Sequence, residues 1–265
     1  MGIVNITPDS FSDGGDYQST ERAIAHGLDL LAQGADLIDI GGESTRPGAQ
    51  RVDAAGELNR VLPVIRELAG AGAVISVDTM RAEVARAAVE AGAVIVNDVS
   101  GGLSDPDMLG TVAELGVGYI AMHWRGPSDV MQNLASYHDV VAEVRRELGS
   151  RLDAALDAGI DLNQVVLDPG LGFAKSADHN WALLAGLDAL ASLGRPLLIG
   201  ASRKRFLGDL LDERPPKQRD DATLALTTLL ALSGVWAVRT HTARAQRDAI
   251  AVVGRLAAEG RRGVE

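Results

Sequence analysis

The chain has 265 residues, no cysteine, and a net charge of −11 from 25 basic and 36 acidic side chains. Hydrophobic residues make up 46% and charged residues 23%, enough apolar material for a large core, which excludes an intrinsically disordered chain. Without cysteine there is no disulfide framework, thiolate nucleophile, zinc knuckle or iron–sulfur cluster, and the acidic balance argues against general nucleic-acid binding.

No apolar run reaches the roughly 20 residues of a membrane helix. The N-terminus is polar by Asn5 and lacks a basic segment followed by an apolar one, so the expectation is a soluble cytoplasmic protein.

Short β-branched runs alternate with amphipathic stretches along the whole chain. Gly2–Ile6 leads to a helical pattern at Glu21–Gln33, where Ala23, Ile24, Leu28 and Leu31 fall at helical spacing. Asp36–Ile40 then precedes Asp53–Leu68, Val74–Asp78 precedes Arg81–Ala91, and Val94–Asn97 precedes Met108–Leu115. In the second half, Tyr119–His123 is followed by Tyr137–Ala158 and Val165–Asp168 by His179–Leu193. Leu197–Gly200 and Ala237–His241 lead to Asp220–Leu232 and Ala243–Ala258.

Most strand candidates are apolar at nearly every position, the pattern of strands buried on both faces of a parallel sheet. Gly34, Gly92, Gly116, Gly159, Gly194 and Gly234 stand where helices need a left-handed cap, and Pro106 suits a helix start. Eight such units with no linker between them predict one α/β domain over residues 1–265, a (β/α)8 TIM barrel, a fold that commonly uses about 250 residues. The alternative is an open doubly wound sheet, which no Gly-rich fingerprint after the first strand supports.

Barrel active sites sit at the C-terminal ends of the strands, and here strand after strand finishes on a polar side chain. Asn5 and Thr7 come from the first, Asp39 and then Glu43-Ser-Thr-Arg46 from the second, and Asp78 from the third. Asn97 and Asp98 end the fourth, His123 the fifth and Asp168 the sixth, followed by Ser202-Arg-Lys204 and then Arg239 with His241. Helix capping explains one or two such residues but not the whole series.

Asp78, Asn97 and Asp168 offer acceptors for a flat ligand edge rich in N–H donors. Arg46, Arg203, Lys204, Arg239 and His241 form a basic cluster in an acidic protein, which points to an anionic ligand. No dinucleotide fingerprint, phosphate loop, H-E-x-x-H pair or nucleophile elbow is present.

Two segments then stand out, Asn5-Ile-Thr-Pro-Asp-Ser-Phe-Ser-Asp-Gly-Gly15 and Gly41-Gly-Glu-Ser-Thr-Arg-Pro-Gly48. They resemble the two signature loops of the dihydropteroate synthases, folate-pathway enzymes inhibited by sulfonamides. Further similar segments follow in the family's order: Ser76-Val-Asp-Thr79, Asn97-Asp-Val-Ser-Gly101, Met122-His123 with Met131-Gln132, Asp168-Pro-Gly-Leu-Gly-Phe-Ala-Lys175, Ser202-Arg-Lys204 and Arg239-Thr-His241.

The resemblance implies a barrel that joins p-aminobenzoate to 6-hydroxymethyl-7,8-dihydropterin diphosphate, giving 7,8-dihydropteroate and pyrophosphate with the help of magnesium (Mg2+). By the same resemblance Asp78, Asn97, Asp168 and Lys204 hold the pterin, Asn5 contacts the metal, and Thr45, Arg239 and His241 bind the diphosphate. The first loop, with Asp9, Ser10 and Phe11, and the second, with Thr45, Arg46 and Pro47, close over the site. The p-aminobenzoate pocket draws on Phe11, Thr45, Arg46, Pro47, Phe173, Ser202 and Lys204. A homodimer formed through the later helices is also implied.

Plainer roles compete at several positions. Asp39 reads as structural, orienting Asn5 or a loop backbone, and Asp98 as a cap or a contact. Arg203 reads as a solvated or helix-facing cation, His123 as a packed barrel histidine in preference to a catalyst, and His26, His138 and His179 as helix-surface residues. Two departures from the family are visible: the chain starts directly on the first strand, and Thr242-Ala-Arg244 follows His241 where the family usually has an acid. The rival readings are a pterin-binding methyltransferase domain, which should lack the Ser44-Thr-Arg-Pro47 and Ser202-Arg-Lys204 segments, and a non-catalytic pterin-binding paralogue.

Overall fold

The computed structural model describes residues 1–6, 16–44 and 52–262. Six strands run parallel in sequence order: β1 (Gly2–Asn5), β2 (Ile38–Gly41), β3 (Ile75–Asp78), β4 (Ile95–Asp98), β5 (Gly118–Met122) and β6 (Val165–Asp168). β7 (Leu198–Ile199) pairs in parallel with β8 (Ala237–Val238). Parallel bridges Leu167↔Leu197 and Gly2↔Thr240 join this pair to β6 on one side and to β1 on the other. The ring is therefore closed, as the (β/α)8 expectation requires, and no strand of it is left with an open edge.

Helices α1 (Asp16–Ala32), α2 (Ala54–Gly70), α3 (Ala82–Glu90), α4 (Met108–Leu115) and α5 (Val140–Asp157) follow the first five strands. α6 (Ala177–Ala185) and α7 (Leu187–Ala191) follow β6, α8 (Arg205–Leu210) and α9 (Asp220–Leu232) follow β7, and α10 (Arg244–Arg262) follows β8. Asp53 caps α2 by accepting from the Gly56 amide at 2.8 Å. Ser176 and His179 form a reciprocal capping box on α6. All six glycines expected to end helices have positive φ. One cluster of buried hydrophobic residues runs from Val4 to Ala243, filling the space between the strands and the helical layer.

Three expectations need correction. The pattern at His179–Leu193 is two helices, broken at Gly186, whose Cα lies so close to α5 that an added Cβ would meet Val141 at 2.9 Å. α8 has only six residues, too few to display a helical period, and was not expected from the sequence. In α1 the core face carries Ala23 and Leu30, while Leu28 is 44% exposed. Gly27 turns that face inward by letting α1 approach Leu68 of α2, where an added Cβ would meet a Leu68 methyl at 2.5 Å.

Gly170, just after β6, positions the loop that walls the site. It has φ +66, and a Cβ there would lie 2.4 Å from the His123 carbonyl oxygen, whereas Gly116 has φ +62 with open space around it. Both Gly→Ala variants place alanine in the left-handed region, but only Gly170→Ala also meets backbone. Gly170→Ala is expected to cost about 1–3 kcal/mol more than Gly116→Ala, or about 2–10 °C in thermal midpoint for a chain of this size. Equal midpoints for the two variants in thermal denaturation would refute the close approach.

Candidate active site

The carboxyl ends of the strands open into a cavity. Asp78, Asn97 and Asp168 line it from β3, β4 and β6, above an apolar surface that includes Ile3, Val99 and Met122. Phe173, Ser202, Lys204, Arg239 and His241 line it from the loops after β6, β7 and β8. Eight of the expected site residues are thus brought together. The remaining ones, Asp9, Ser10, Phe11, Thr45, Arg46 and Pro47, lie outside the described residues, and Asn5 stands at the end of β1, outside the lining.

The centre of the site is a charge cluster. Arg239 donates from Nε to Asp39 Oδ2 at 2.6 Å and from Nη2 to Asp78 Oδ2 at 2.9 Å. Asn97 Nδ2 donates to the same Asp39 oxygen at 3.1 Å. Asp39 therefore does not orient Asn5 or a loop backbone as the sequence suggested. It is fully buried and holds one residue from the acceptor side of the site and one from the cationic side, while its Oδ1 has no partner. Its place beneath two other site residues leaves no local sequence signal, because their strands come together only in the closed barrel.

Burial raises the Asp78 carboxyl to about 7, against the opposing pull of Arg239 and with added repulsion from Asp39. Burial also raises Asp168, opposed by the Gly170 amide, which donates to its Oδ1 at 2.7 Å, and by Lys204. Lys204 is lowered to about 8, mainly by burial. It donates to the Leu171 carbonyl and lies 4.3 Å from the Phe173 ring centroid, so the cation and the aromatic wall fix each other.

β8 is only two residues long, so Arg239 and His241 both lie beyond its end. His241 faces the cavity because Ser202 holds it, Oγ to Nδ1 at 2.9 Å, with the His241 amide donating back to the same oxygen at 3.2 Å.

The residues with competing roles separate cleanly. Asp98 is a buried turn anchor: it accepts from the amides of Ser100 and Gly102 at 2.8 and 2.6 Å and from the Tyr119 hydroxyl at 3.0 Å. Arg203 faces α9 in a bidentate pair with Asp220, both bonds 2.7 Å. His123 is a satisfied, buried histidine between Glu147 and Lys175. A second cavity lies on the far side of Phe173 and Val99, lined by Trp124, Met131 and Ser44.

Among the described residues no three His, Cys, Asp or Glu side chains cluster to hold a metal by themselves. Two oxygens, Asn5 Oδ1 and Asp78 Oδ2, do lie near the Gly41 backbone, the second also accepting from Arg239. Gly41 separates Asn5 Oδ1 from Asp78 Oδ2, and a Cβ in its place would fill that gap, at 3.6 and 3.5 Å from the two oxygens. A magnesium ion that keeps most of its waters and takes further oxygens from a diphosphate suits such a sparse donor set.

A family model described as pterin binding enzyme matches residues 1–241. The dihydropteroate synthase of Mycobacterium leprae (strain TN) is 53% identical over 260 residues, covering 96% of this chain and 92% of the relative. Among solved structures, Xanthomonas albilineans dihydropteroate synthase with 4-aminobenzoic acid is similar at a TM-score of 0.91 and 48% identity, covering 97% of this chain and 92% of that one. The complex of the Xanthomonas albilineans enzyme with 7,8-dihydropteroate is similar at a TM-score of 0.88 and 46% identity, with coverage of 97% and 93%.

The raised Asp78 carboxyl carries a stability cost of known sign. A group whose folded value lies above its unfolded one favours folding when protonated, so its contribution is fully present below about 4 and is lost as pH rises through about 7. Asp78→Asn removes this dependence. The thermal midpoint of the variant minus that of the wild type is expected to climb between pH 4 and pH 7 and to level off above; a flat difference across that range would contradict the raised value.

Proposed function

The chain belongs to the pterin-binding enzyme family, and from that premise we propose that it carries out the dihydropteroate synthase reaction. In that reaction p-aminobenzoate and 6-hydroxymethyl-7,8-dihydropterin diphosphate give 7,8-dihydropteroate and pyrophosphate, a transfer of the pterinylmethyl group in folate biosynthesis. The observation that carries this reading is one cavity lined both by acceptors, Asp78, Asn97 and Asp168, and by cationic or polar donors, Lys204, Arg239 and His241. A pterin diphosphate has the matching two ends.

The pterin presents a guanidine-like edge whose N–H donors a carboxylate accepts in two parallel bonds. Asp168 and Asp78 supply the carboxylates, Asn97 supplies an amide, and Lys204 donates to ring acceptors. Phe173 stacks at the wall. Arg239 spends two of its five N–H donors on Asp39 and Asp78, which leaves Nη1 for the diphosphate. His241 and Thr45 complete the diphosphate contacts.

As the bond from the pterin methylene carbon to the diphosphate oxygen breaks, negative charge grows on the leaving group, and Arg239 and Lys204 are already in place to meet it. Asn5 would hold a magnesium ion, which would supply positive charge against the leaving diphosphate. The cationic carbon is stabilised by the pterin ring. The neutral arylamine of p-aminobenzoate then forms the new C–N bond and gives up a proton. No protein nucleophile takes part. By the resemblance to the family, Phe11, Thr45, Arg46 and Pro47, which lie outside the described residues, serve p-aminobenzoate together with Phe173 and Ser202.

One barrel over residues 1–265 carries this reaction in the cytoplasm, and the active unit is a homodimer. Support for the dimer comes from Leu229 and Leu232 on α9 with Val252 and Leu256 on α10, all more than half exposed. No helix among the described residues is long and apolar enough to cross a membrane.

Two experiments test the reading. Purified protein with magnesium and both substrates is expected to release dihydropteroate and pyrophosphate, and Lys204→Ala to abolish both. Tight binding of the pterin diphosphate with no product would identify a non-catalytic paralogue instead. Light scattering is expected to give twice the 27.7 kDa chain mass, with Leu256→Glu returning it towards one chain; a monomeric wild type would remove the dimer.

A further inference from the structure

Behind the cavity wall lies a buried cation that the mechanism above does not use. Lys175 is 4% exposed, and its Nζ donates to the Phe173 carbonyl at 2.9 Å and lies 2.9 Å from His123 Nδ1. An ammonium has donors only, so Nδ1 is the acceptor and the imidazole proton sits on Nε2. Nε2 in turn donates to Glu147 Oε2 at 2.9 Å. Arg125 pins that carboxylate, Nη2 to Oε1 at 2.6 Å and Nε to Oε2 at 3.0 Å, and reaches Glu143 at 2.9 Å. A chain of directed bonds therefore runs from the outer surface of α5 through the barrel wall to the loop after β6.

That loop is held at every turn by side chains, one of them its own Lys175. Lys204 takes the Leu171 carbonyl, Lys175 the Phe173 carbonyl and the Tyr137 hydroxyl the Ala174 carbonyl at 3.0 Å, while the Gly172 amide donates to Asn180 at 2.7 Å. Ala174 sits at φ +47, a left-handed conformation that a non-glycine residue keeps only under such restraint. Phe173 is thus clamped between two lysines, its ring under Lys204 and its carbonyl on Lys175.

We propose that Lys175 is a positioning residue for the pterin: it fixes the Phe173 wall, supports the ionised Asp168 by its charge, and is itself aimed by the His123–Glu147–Arg125 relay. The proposal rests on the pterin reading of the cavity given above.

The charges around Lys175 agree with this assignment. Burial lowers it to about 7, with Asp168 on β6 and Glu147 on α5 pulling it up and Lys204 after β7 and Arg125 after β5 pushing it down. His123 is held neutral, lowered to about 4 by burial and by Lys175. Lys175 is therefore charged below about 7 and progressively neutral above, so its support of Asp168 weakens as pH rises.

The test measures 6-hydroxymethylpterin binding by calorimetry and the KM for p-aminobenzoate in the wild type, Lys175→Met and Glu147→Gln. In Lys175→Met at pH 6.5, pterin affinity is expected to fall about tenfold, and the p-aminobenzoate KM, whose pocket Phe173 also borders, to rise by a smaller factor of about threefold. The gap in pterin affinity should narrow by pH 8.5, where the wild-type lysine has lost its charge. A merely structural lysine would move neither the substrate preference nor the pH dependence.

A folded Lys175→Met with wild-type pterin affinity, or with equal losses for both substrates, overturns the proposal. If that variant does not fold, Glu147→Gln decides. It lies outside the cavity, and removing its charge lowers Lys175 further, so pterin affinity should fall about threefold with a smaller change in the p-aminobenzoate KM; unchanged pterin affinity overturns the proposal. The chain has three lysines, at 175, 204 and 217, so lysine Cε resonances follow the proton directly, and the Lys175 midpoint is expected to drop in Glu147→Gln. A wild type that neither binds the pterin nor forms product removes the pterin reading and this proposal together, whereas pterin binding untouched by either variant removes only the proposal.

Discussion

One guanidinium ties the mouth of the barrel together. Arg239, just past β8, reaches to Asp39 on β2 and Asp78 on β3. Two buried carboxylates so close together are costly unless a cation lies between them. The same bonds hold β2, β3 and the segment after β8 at fixed distances across the mouth. Asp39 adds a third constraint by accepting from Asn97. A substrate with a flat donor-rich head and a diphosphate tail therefore meets a site whose two halves are already braced against each other, in the manner of preorganised electrostatic catalysis.

The loop after β6 is braced in the same way but by different chemistry. Its carbonyls accept hydrogen bonds from Lys175, Lys204 and Tyr137, and Gly170 lets it pass close to the His123 backbone. The site as a whole keeps acids that burial has raised and lysines that burial has lowered. Such groups oppose folding, and the continuous apolar cluster between strands and helices offsets them.

Much of the scaffold was legible in the sequence because its signals are local. A run of β-branched residues buried on both faces reads as a strand without knowledge of its neighbours, and β6 appears with the bounds its pattern suggested. α4 and α9 also match residue for residue. The glycine caps were visible because each must take a positive φ within a single residue. Where tertiary packing decides, the reading slipped. The face of α1 is turned by the close approach at Gly27, so Leu28 points outward although its spacing fits the core stripe.

For the site, the residue types and the carboxyl ends of the strands sufficed to assemble the acceptors and the cations. Asp78, Asn97, Asp168, Phe173, Ser202, Lys204, Arg239 and His241 do line one cavity. Their partners were not legible. Asp39 and Arg239 are 200 positions apart, and Lys175 and His123 are 52 apart. The sequence by itself determined the alternation of elements and the chemical character of the mouth, since each depends on local propensity, spacing and residue type. Only the closed barrel decided which acid meets which base, which groups shift in acidity and which buried cation stands behind the wall. Hydrogen bonds and desolvation depend on distances of a few ångströms between strands that the chain order keeps far apart.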